Sequence, residues 1–359
     1  MLLKEVYNQR FLNDLAAEIS RLDADFDAKR FLKILQKDWQ EKPLKTRMRA
    51  ISKALGETLL HKKYPQQLAL LKQVVLALNK DKNSGLALII FPDFVEIFGQ
   101  KDFELSMQAL EFFTEFSTSE FAIRRFIKAD EDAALKFVKK FAVSKNYHVR
   151  RLASEGIRPR LPWGEALPNF KKDPQKILPI LEVLKFDSKK YVQKSIANNL
   201  NDISKDNPKI ALDLLARWQG EGVAEFIIRH ALRTLLKKGD QAALKIIGAD
   251  EKKFEIQDFL LSQNQLQIGQ KLVFNFSLKN LKAGSKIRLE YAIYFLKKNG
   301  TYSKKNFQIT TKIFDEKLFS FSKKHSFADL STRKHCVGKH LISLVANGVE
   351  FGKTEFHLI

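Results

Sequence analysis

Cysteine is nearly absent from this chain, since Cys336 is the only one among its 359 residues. A single cysteine cannot form an intrachain disulfide and leaves no zinc-finger spacing. Long apolar runs are absent as well, because the longest candidate, Leu86 to Phe91, is far shorter than the roughly 18 residues of a membrane-spanning helix. Charged residues interrupt the beginning of the chain, which therefore lacks the apolar core of a signal peptide. We expect a cytoplasmic protein with no membrane partner.

Familiar catalytic motifs are also missing. The sequence contains no Walker loop, no dinucleotide fingerprint, no HExxH and no His/Cys cluster. Phosphoryl transfer, nicotinamide chemistry and zinc catalysis therefore have no support, and we expect neither a cofactor nor a metal. His61, His148 and His230 are isolated and are read as ordinary core or surface residues. Carboxylates, arginines and aromatic residues remain as carriers of chemistry.

The charge of the chain is strongly positive. Lys and Arg number 63 against 41 Asp and Glu, which gives a net charge of +22. Such an excess attracts polyanions and raises the self-repulsion of the compact fold. Nucleic acid is therefore the expected partner.

Helical periodicity extends from Glu5 to about Asp250, and its apolar pattern repeats. Four segments align with start-to-start spacings of 44, 43 and 35 residues, close to the period of HEAT and armadillo repeats: Leu105–Phe113, Val149–Ile157, Val192–Leu200 and Ile227–Leu235. The first, fifth and ninth positions of each segment are small or apolar, which predicts that this face packs inside a stack of helices. The pattern indicates a right-handed α-α superhelix of HEAT-like or armadillo-like repeats.

A basic position recurs in these segments. Arg151, Lys194 and Arg229 share the third place in the register. Because helical solenoids curve, a repeated basic position on the concave face would form a track along a phosphate backbone. The alternative is a solvated helix face, which is the better interpretation of any one of these residues taken alone.

Near Phe254 the pattern changes to alternation with period two. Seven strands are predicted, at Glu255–Leu261, Lys271–Leu278, Lys286–Leu296, Phe307–Phe314, Lys317–Ser322, Gly338–Ala346 and Val349–His357. Turns are predicted at 282–285, 298–300 and 347–348. The length and strand count suit an all-β immunoglobulin-like sandwich without the antibody-type disulfide. The prediction is thus a mainly α protein with a helical domain at 1–250 and a β domain at 251–359.

The β domain is disproportionately basic, with 19 basic and 9 acidic residues from position 251 onward. Several of the basic residues flank predicted strands, where loops could bind phosphates: Lys297, Lys298, Lys304, Lys305, Lys323, Lys324 and His325. A basic surface that serves only solubility is an equally good interpretation.

The most unusual stretch runs from Tyr147 to Gly164, where a repeat helix enters a segment with two prolines. Pro159 restricts the residue before it, so the helix should end near Gly156 or Ile157, with Glu155 in its last turn. Arg151, one turn back, could form an ordinary surface salt bridge with Glu155, worth about 0.3–0.5 kcal/mol. Arg158, Arg160 and Trp163 follow, and they place two guanidiniums and a flat ring beside the carboxylate.

Two motifs resemble those of a known family. The run Arg-Arg-Leu-Ala-Ser-Glu-Gly-Ile-Arg-Pro-Arg-Leu-Pro-Trp, residues 150–163, and Val192–Asp206 are similar to the AlkC branch of the HEAT-like-repeat DNA glycosylases. The resemblance is strongest from about Thr118 to Gly239, and some members of this branch add an immunoglobulin-like domain. It implies hydrolysis of the N-glycosidic bond of N-methylated, cationic bases such as 3-methyladenine and 3-methylcytosine in duplex DNA.

The resemblance also implies roles for single residues. Its catalytic carboxylates correspond to Glu155, Asp202 and Glu120, and its DNA-binding face corresponds to Arg151, Arg158, Arg160 and Trp163. Structural alternatives exist for two of the acids. Glu120 follows Ser and Thr residues at a predicted helix start, where an acid is favoured in any case. Asp202 belongs to the polar run from Asn201 to Pro208, which ends a predicted helix.

The residues suit this chemistry. A cationic base is already a good leaving group, so the site must stabilise an oxocarbenium-like sugar and position a water, which carboxylates can do without a metal. Two other functions remain open. A non-catalytic DNA-binding or damage-sensing protein would share the basic surface, whereas a protein-binding HEAT scaffold leaves the charge of +22 unexplained. The prediction is a monomeric bacterial glycosylase, associated with the nucleoid through double-stranded DNA that contains alkylated bases.

Overall fold

The computed structural model describes residues 2–79, 85–249, 253–330 and 334–359. Contacts between Cα atoms divide the chain into two compact units, Met1–Asn207 and Pro208–Ile359. Among the described residues of the first unit there are twelve α-helices: α1 Gln9–Leu22, α2 Ala28–Gln36, α3 Leu44–Thr58, α4 Tyr64–Leu78, α5 Ile90–Phe98, α6 Phe103–Phe113, α7 Ile123–Ala129, α8 Glu131–Ala142, α9 Tyr147–Glu155, α10 Pro168–Lys172, α11 Leu178–Leu184 and α12 Lys190–Asp206.

Three of the four predicted repeat segments fall on helices of this unit, α6, α9 and α12, although Val149–Ile157 extends two residues past the end of α9. The first, fifth and ninth positions of these segments are buried, with Leu105 only half-buried. The periodicity therefore identified the packed face correctly. Helix α9 lies between α8 and α12 and contacts both.

The second unit begins with three helices, α13 Pro208–Gly220, α14 Glu225–Lys237 and α15 Gln241–Ile246, and α14 contains the fourth repeat segment. Eight strands follow in the described part: β1 Glu255–Leu261, β2 Gln265–Leu266, β3 Lys271–Lys279, β4 Ser285–Leu296, β5 Tyr302–Phe314, β6 Leu318–Ser326, β7 Gly338–Ala346 and β8 Val349–Leu358. The change from helix to strand thus falls between Ile246 and Glu255, whereas the compact unit also includes α13–α15. The predicted domain division at 250/251 stays a prediction.

The strands form two sheets, with the orders β1-β3-β6 and β2-β8-β7-β4-β5. All pairs are antiparallel except β2 with β8. Alternate residues of the central strands bury an aromatic and aliphatic core that includes Phe274, Phe276 and Ile293. The predicted hairpin turn between β7 and β8 is confirmed by the positive φ angles of Asn347 and Gly348, 45° and 79°, which a type I′ turn requires.

The strand predictions were wrong in three places. The prediction missed β2 and began β5 five residues too late, because 302–306 is polar and lacks the apolar alternation by which strands are recognised. It also ended the sixth observed strand at Ser322, whereas β6 continues to Ser326. Lys304, Lys305, Lys323, Lys324 and His325 consequently lie in strands, not in loops.

The observed partners of two of these residues are within the β domain. The Lys304 ammonium lies 2.7 Å from Glu350, and the Tyr291 hydroxyl lies 2.9 Å from His325 Nδ1. Lys297 and Lys298 remain at the turn between β4 and β5. Of the lysines predicted to bind phosphates from loops, these two keep the predicted loop position.

Candidate active site

Helix α9 ends at Glu155, one residue before the predicted end near Gly156 or Ile157, and Glu155 lies in its last turn as predicted. The Asn146 side chain caps its start by accepting a hydrogen bond from the backbone N–H of His148. At its other end a Cβ on Gly156 would lie 2.7 Å from the Ile123 side chain, so only glycine allows the close approach of α9 to α7. Residues 156–165, here called the strap, then lead toward α10.

The three predicted catalytic carboxylates lie in one ion-pair network. Arg151 of α9 pairs with Glu120 and lies 3.5 Å from Glu155. Arg158 of the strap joins the other two acids, because its Nη1 lies 2.7 Å from Glu155 Oε1 and its Nε lies 2.8 Å from Asp202 Oδ2. Glu120, Glu155 and Asp202, together with Arg151 and Arg158, are called the carboxylate cluster below.

Further hydrogen bonds fix the orientation of the acids. Ser195 donates to Glu155 Oε2 at 2.6 Å, and Lys205 lies 3.0 Å from Asp202 Oδ1. Thr118 donates to Glu120 Oε2 at 2.5 Å. Among the described residues, the hydrogen bond that Glu120 accepts is at Oε2, and none is seen at its other oxygen, Oε1. Glu120 therefore retains one acceptor for a ligand, while both oxygens of Glu155 are occupied.

The cluster is buried. Relative exposure is 8% for Glu120, 5% for Glu155 and 1% for Asp202. Burial favours loss of the Arg151 charge, but Glu120 and Glu155 overcome this effect and raise the pKa of Arg151 above its ordinary value. Removing one member of such a network is costly, since it leaves a buried charge without its partner.

The arginines differ from the sequence-based expectation. Arg151 and Arg158 were predicted on the DNA-binding face, yet their observed partners are the carboxylates, and Arg151 also lies over the Tyr191 ring at 5.0 Å. Arg160 is more exposed and forms two hydrogen bonds with Asp206, of 2.7 and 2.5 Å. The structure thus makes Arg151 and Arg158 organisers of the acids. Contact of these three arginines with DNA stays a prediction.

A cavity of about 800 Å³ adjoins the cluster in the first unit. Glu120, Glu155, Arg158, Phe121 and Trp163 are among the residues that line it. Trp163 is 65% exposed, and its φ of 65° lies in the left-handed region. Bulky residues rarely adopt this conformation, and where they do the strain often marks a functional site. The ring is an exposed flat surface beside the acids.

Another part of the cavity wall holds an acid that sequence reasoning missed. Burial raises the pKa of Asp93 to about 6, against a lowering effect of Ser52 and Arg49. Arg49 Nη2 approaches Asp93 Oδ1 to 2.9 Å, but without the geometry of a hydrogen bond, and neither oxygen has a hydrogen-bond partner among the described residues. Arg49 and Asp93 therefore form an ion pair without a hydrogen bond. No motif indicated it, because Asp93 lies inside the apolar run of α5.

The other two predicted DNA-binding residues lie elsewhere. Lys194 is exposed on α12. Arg229 lies on α14 in the second unit, with its Nη1 3.7 Å from Glu225. A continuous basic stripe through Arg151, Lys194 and Arg229 stays a prediction.

Away from the cavity, one group of side chains in the described part of the chain has the spacing of metal ligands. In the described part of the chain, Asp23, Asp25 and His61 place ligand atoms within 4.8 Å of one another, but Lys62 and His61 already contact Asp23 at 3.0 and 2.9 Å. This group contains none of the predicted site residues. None of the helices in the described ranges combines the length and apolar character needed to cross a membrane.

Comparisons with known proteins agree with the two motifs. Residues 45–235 match the family model of the DNA alkylation repair enzymes, and residues 255–359 match that of the YhaZ C-terminal Ig-like domain. The uncharacterized protein YhaZ of Bacillus subtilis (strain 168) is 42% identical over 350 residues, 96% of each chain. The alkylpurine DNA glycosylase AlkC of Pseudomonas fluorescens, solved bound to DNA containing an abasic site analog, is similar with a TM-score of 0.94 and 36% identity over 100% of both chains. The predicted fold, helical repeats followed by an immunoglobulin-like β domain, is thereby confirmed, and the chain belongs to the DNA alkylation repair enzyme family, in its AlkC branch.

Proposed function

We propose that this protein is a DNA N-glycosylase that removes cationic N-alkylated bases, such as 3-methyladenine and 3-methylcytosine, from duplex DNA. The observation that supports it most is the carboxylate cluster beside an open cavity, in a chain similar over its full length to an alkylpurine DNA glycosylase. A damage-sensing protein would need the basic surface but has no use for three buried acids held by two arginines.

The chemistry follows from the charges. As the bond between C1′ and the base nitrogen breaks, its electron pair passes to the base and neutralises the positive charge there. The sugar becomes oxocarbenium-like, and fixed carboxylates stabilise that charge most effectively in a site that excludes water. Water then bonds to C1′ and loses a proton, so the products are a neutral base and an abasic sugar.

The three acids divide this work. Glu120 lines the cavity, and its Oε1 is not engaged by the hydrogen bond from Thr118, so this oxygen accepts the hydrogen bond of the attacking water and its proton. Glu155 is saturated by Arg158 and Ser195, and Asp202 by Arg158 and Lys205, so both act through their fixed negative charge. Trp163 supports the exposed nucleotide with its ring.

DNA binding relies on the basic surface outside the cluster. We assign phosphate contacts to Lys194, Arg160 and Arg229, and to Lys297 and Lys298 of the β domain. Each such contact releases counterions, so affinity should fall steeply with salt. The ion pair of Arg160 with Asp206 is half exposed and can exchange for a phosphate at little cost.

The test is release of free bases from methylated duplex DNA, identified by chromatography. We expect 3-methyladenine and 3-methylcytosine in the soluble fraction, together with sites in the DNA that break in alkali. Salt-sensitive binding to duplex DNA without any released base would refute the proposal and favour the damage sensor.

A further inference from the structure

A third arginine, Arg124, lines the cavity beside the carboxylate cluster but forms no ion pair with its acids. Arg124 of α7 is 2% exposed, and no carboxylate lies within ion-pair distance among the described residues. Its guanidinium instead donates to three backbone carbonyls: Nε to Glu165 at 2.6 Å, and Nη1 to Gly156 at 3.0 Å and to Arg158 at 2.9 Å. A buried charge without an ion-pair partner is rare. Here three carbonyl dipoles contact it directly, while the charges of Asp202, Glu165 and Glu120 act on it from a distance.

All three carbonyls belong to the strap. Gly156 and Glu165 are its first and last residues, and Arg158 is the one that bridges two acids of the cluster. The Gly156 carbonyl is also one of the orphan acceptors at the end of α9, where a cation interacts favourably with the helix dipole. The Arg124 side chain therefore fixes the first and last residues of the strap and the backbone of Arg158.

We propose that Arg124 is a positioning residue for base excision, which ties the strap to α7 and thereby sets the position of Arg158 and Trp163. This inference rests on the proposed function. The planar fork of the guanidinium reaches three acceptors in different directions, which a lysine ammonium at the same position cannot do. The hydrogen bonds of Arg124 affect the reaction through Arg158, whose Nη1 and Nε hold Glu155 and Asp202 in place.

The chain offers a matched control for a merely structural role. Arg47 of α3 is 1% exposed and also donates to backbone carbonyls, those of Trp39, Lys42 and Lys4. Its Nη1 lies, in addition, 3.5 Å from Glu5 Oε1. None of its partners belongs to the strap or to the carboxylate cluster, and Arg47 does not line the cavity. Arg47→Lys should therefore weaken the fold in the same way as Arg124→Lys without affecting excision.

The experiment compares wild type, Arg124→Lys and Arg47→Lys as full-length proteins, below the onset of thermal unfolding. We expect Arg124→Lys to lower the single-turnover excision rate at saturating enzyme by about 10- to 100-fold, since small misplacements of catalytic groups have effects of this size. The concentration for half-saturation with methylated duplex should change less than about twofold. Arg47→Lys should keep the wild-type rate.

Hydrogen exchange of the free proteins supplies a measurement that does not depend on activity. The N–H of Gly164 bonds to Leu161 and that of Leu167 to Pro159, and both should exchange faster in Arg124→Lys but not in Arg47→Lys. Unchanged exchange of these amides, or equal rates of excision in the two variants, would overturn the inference. Absence of base release by wild type would instead refute the proposed function, and the exchange data would still decide whether Arg124 ties the strap.

Discussion

Replacing Glu155 by glutamine should separate the chemical role of this acid from its structural role. The amide oxygen of the new glutamine can still accept the hydrogen bond from Arg158. The amide NH₂ can donate to Ser195 Oγ. Ser195 Oγ lies 2.5 Å from Ser154 Oγ, so the Ser195 hydroxyl can donate its own proton to Ser154 instead. Glu155→Gln therefore keeps the hydrogen bonds and loses only the charge. The free energy of unfolding should fall by about 1–2 kcal/mol, the difference between charged and neutral hydrogen bonds.

The effect on excision should be larger than the effect on the fold. Removing one electrostatic stabiliser of a transition state typically lowers the rate by about 10²–10³, or roughly 2.7–4 kcal/mol. We expect this decrease in single-turnover excision at saturating enzyme. DNA affinity should stay the same or rise, because one negative charge beside the phosphates is removed.

Asp187→Asn is the matched control. The side chain of Asp187 is 4% exposed and is held by Arg150, the neighbour of Arg151 on α9, through hydrogen bonds of 2.5 and 3.3 Å. It lies outside the carboxylate cluster and outside the cavity lining. Its substitution should lower the melting temperature at least as much as Glu155→Gln does and leave the excision rate within about twofold of wild type. Equal rates in Glu155→Gln and wild type, or an equal loss in the control, would refute the reasoning.

Three more predictions concern other parts of the molecule. Asp202→Asn should also slow excision by about 10²-fold or more at unchanged DNA affinity, measured in the same assay, because its charge is held by Arg158 at 2.8 Å. Lys297→Glu with Lys298→Glu should weaken binding and reduce the slope of log affinity against log salt by about 1 for each lost phosphate contact, while the rate at saturation stays unchanged. Since burial raises the folded pKa of Asp93 to about 6, above the unfolded value of 3.8, the folded state binds the extra proton between these values, and wild type should lose stability as pH rises through that window. Asp93→Asn should flatten this slope in chemical denaturation, and an unchanged slope would remove Asp93 as its cause.

Local patterns predicted much of the structure. The apolar period located the buried faces of α6, α9, α12 and α14, and Pro159 with Gly156 located the end of α9. These features depend on residues close in sequence, so one sequence is sufficient to read them. The resemblance to the AlkC branch then singled out acids that composition alone would leave as ordinary helix residues.

Contacts between residues that are far apart in sequence could not be predicted from local patterns. Glu120 and Arg151 pair across a turn and two helices, and Ser195 reaches Glu155 from α12. Arg124 was one basic residue among many, because its role depends on carbonyls that only the folded strap brings together. The polar start of β5 was missed because backbone pairing with β4, and not side-chain pattern, defines it there.

The central claim is that the protein itself hydrolyses the bond to an alkylated base. A duplex with a single 3-methylcytosine, incubated with excess wild-type protein in the absence of added metal, tests it most directly. The account predicts free 3-methylcytosine and an alkali-sensitive site in equal amounts, both reduced by about 10²–10³ in rate with Glu155→Gln. A duplex that is bound in a salt-dependent manner but keeps its base and stays intact in alkali would contradict the account.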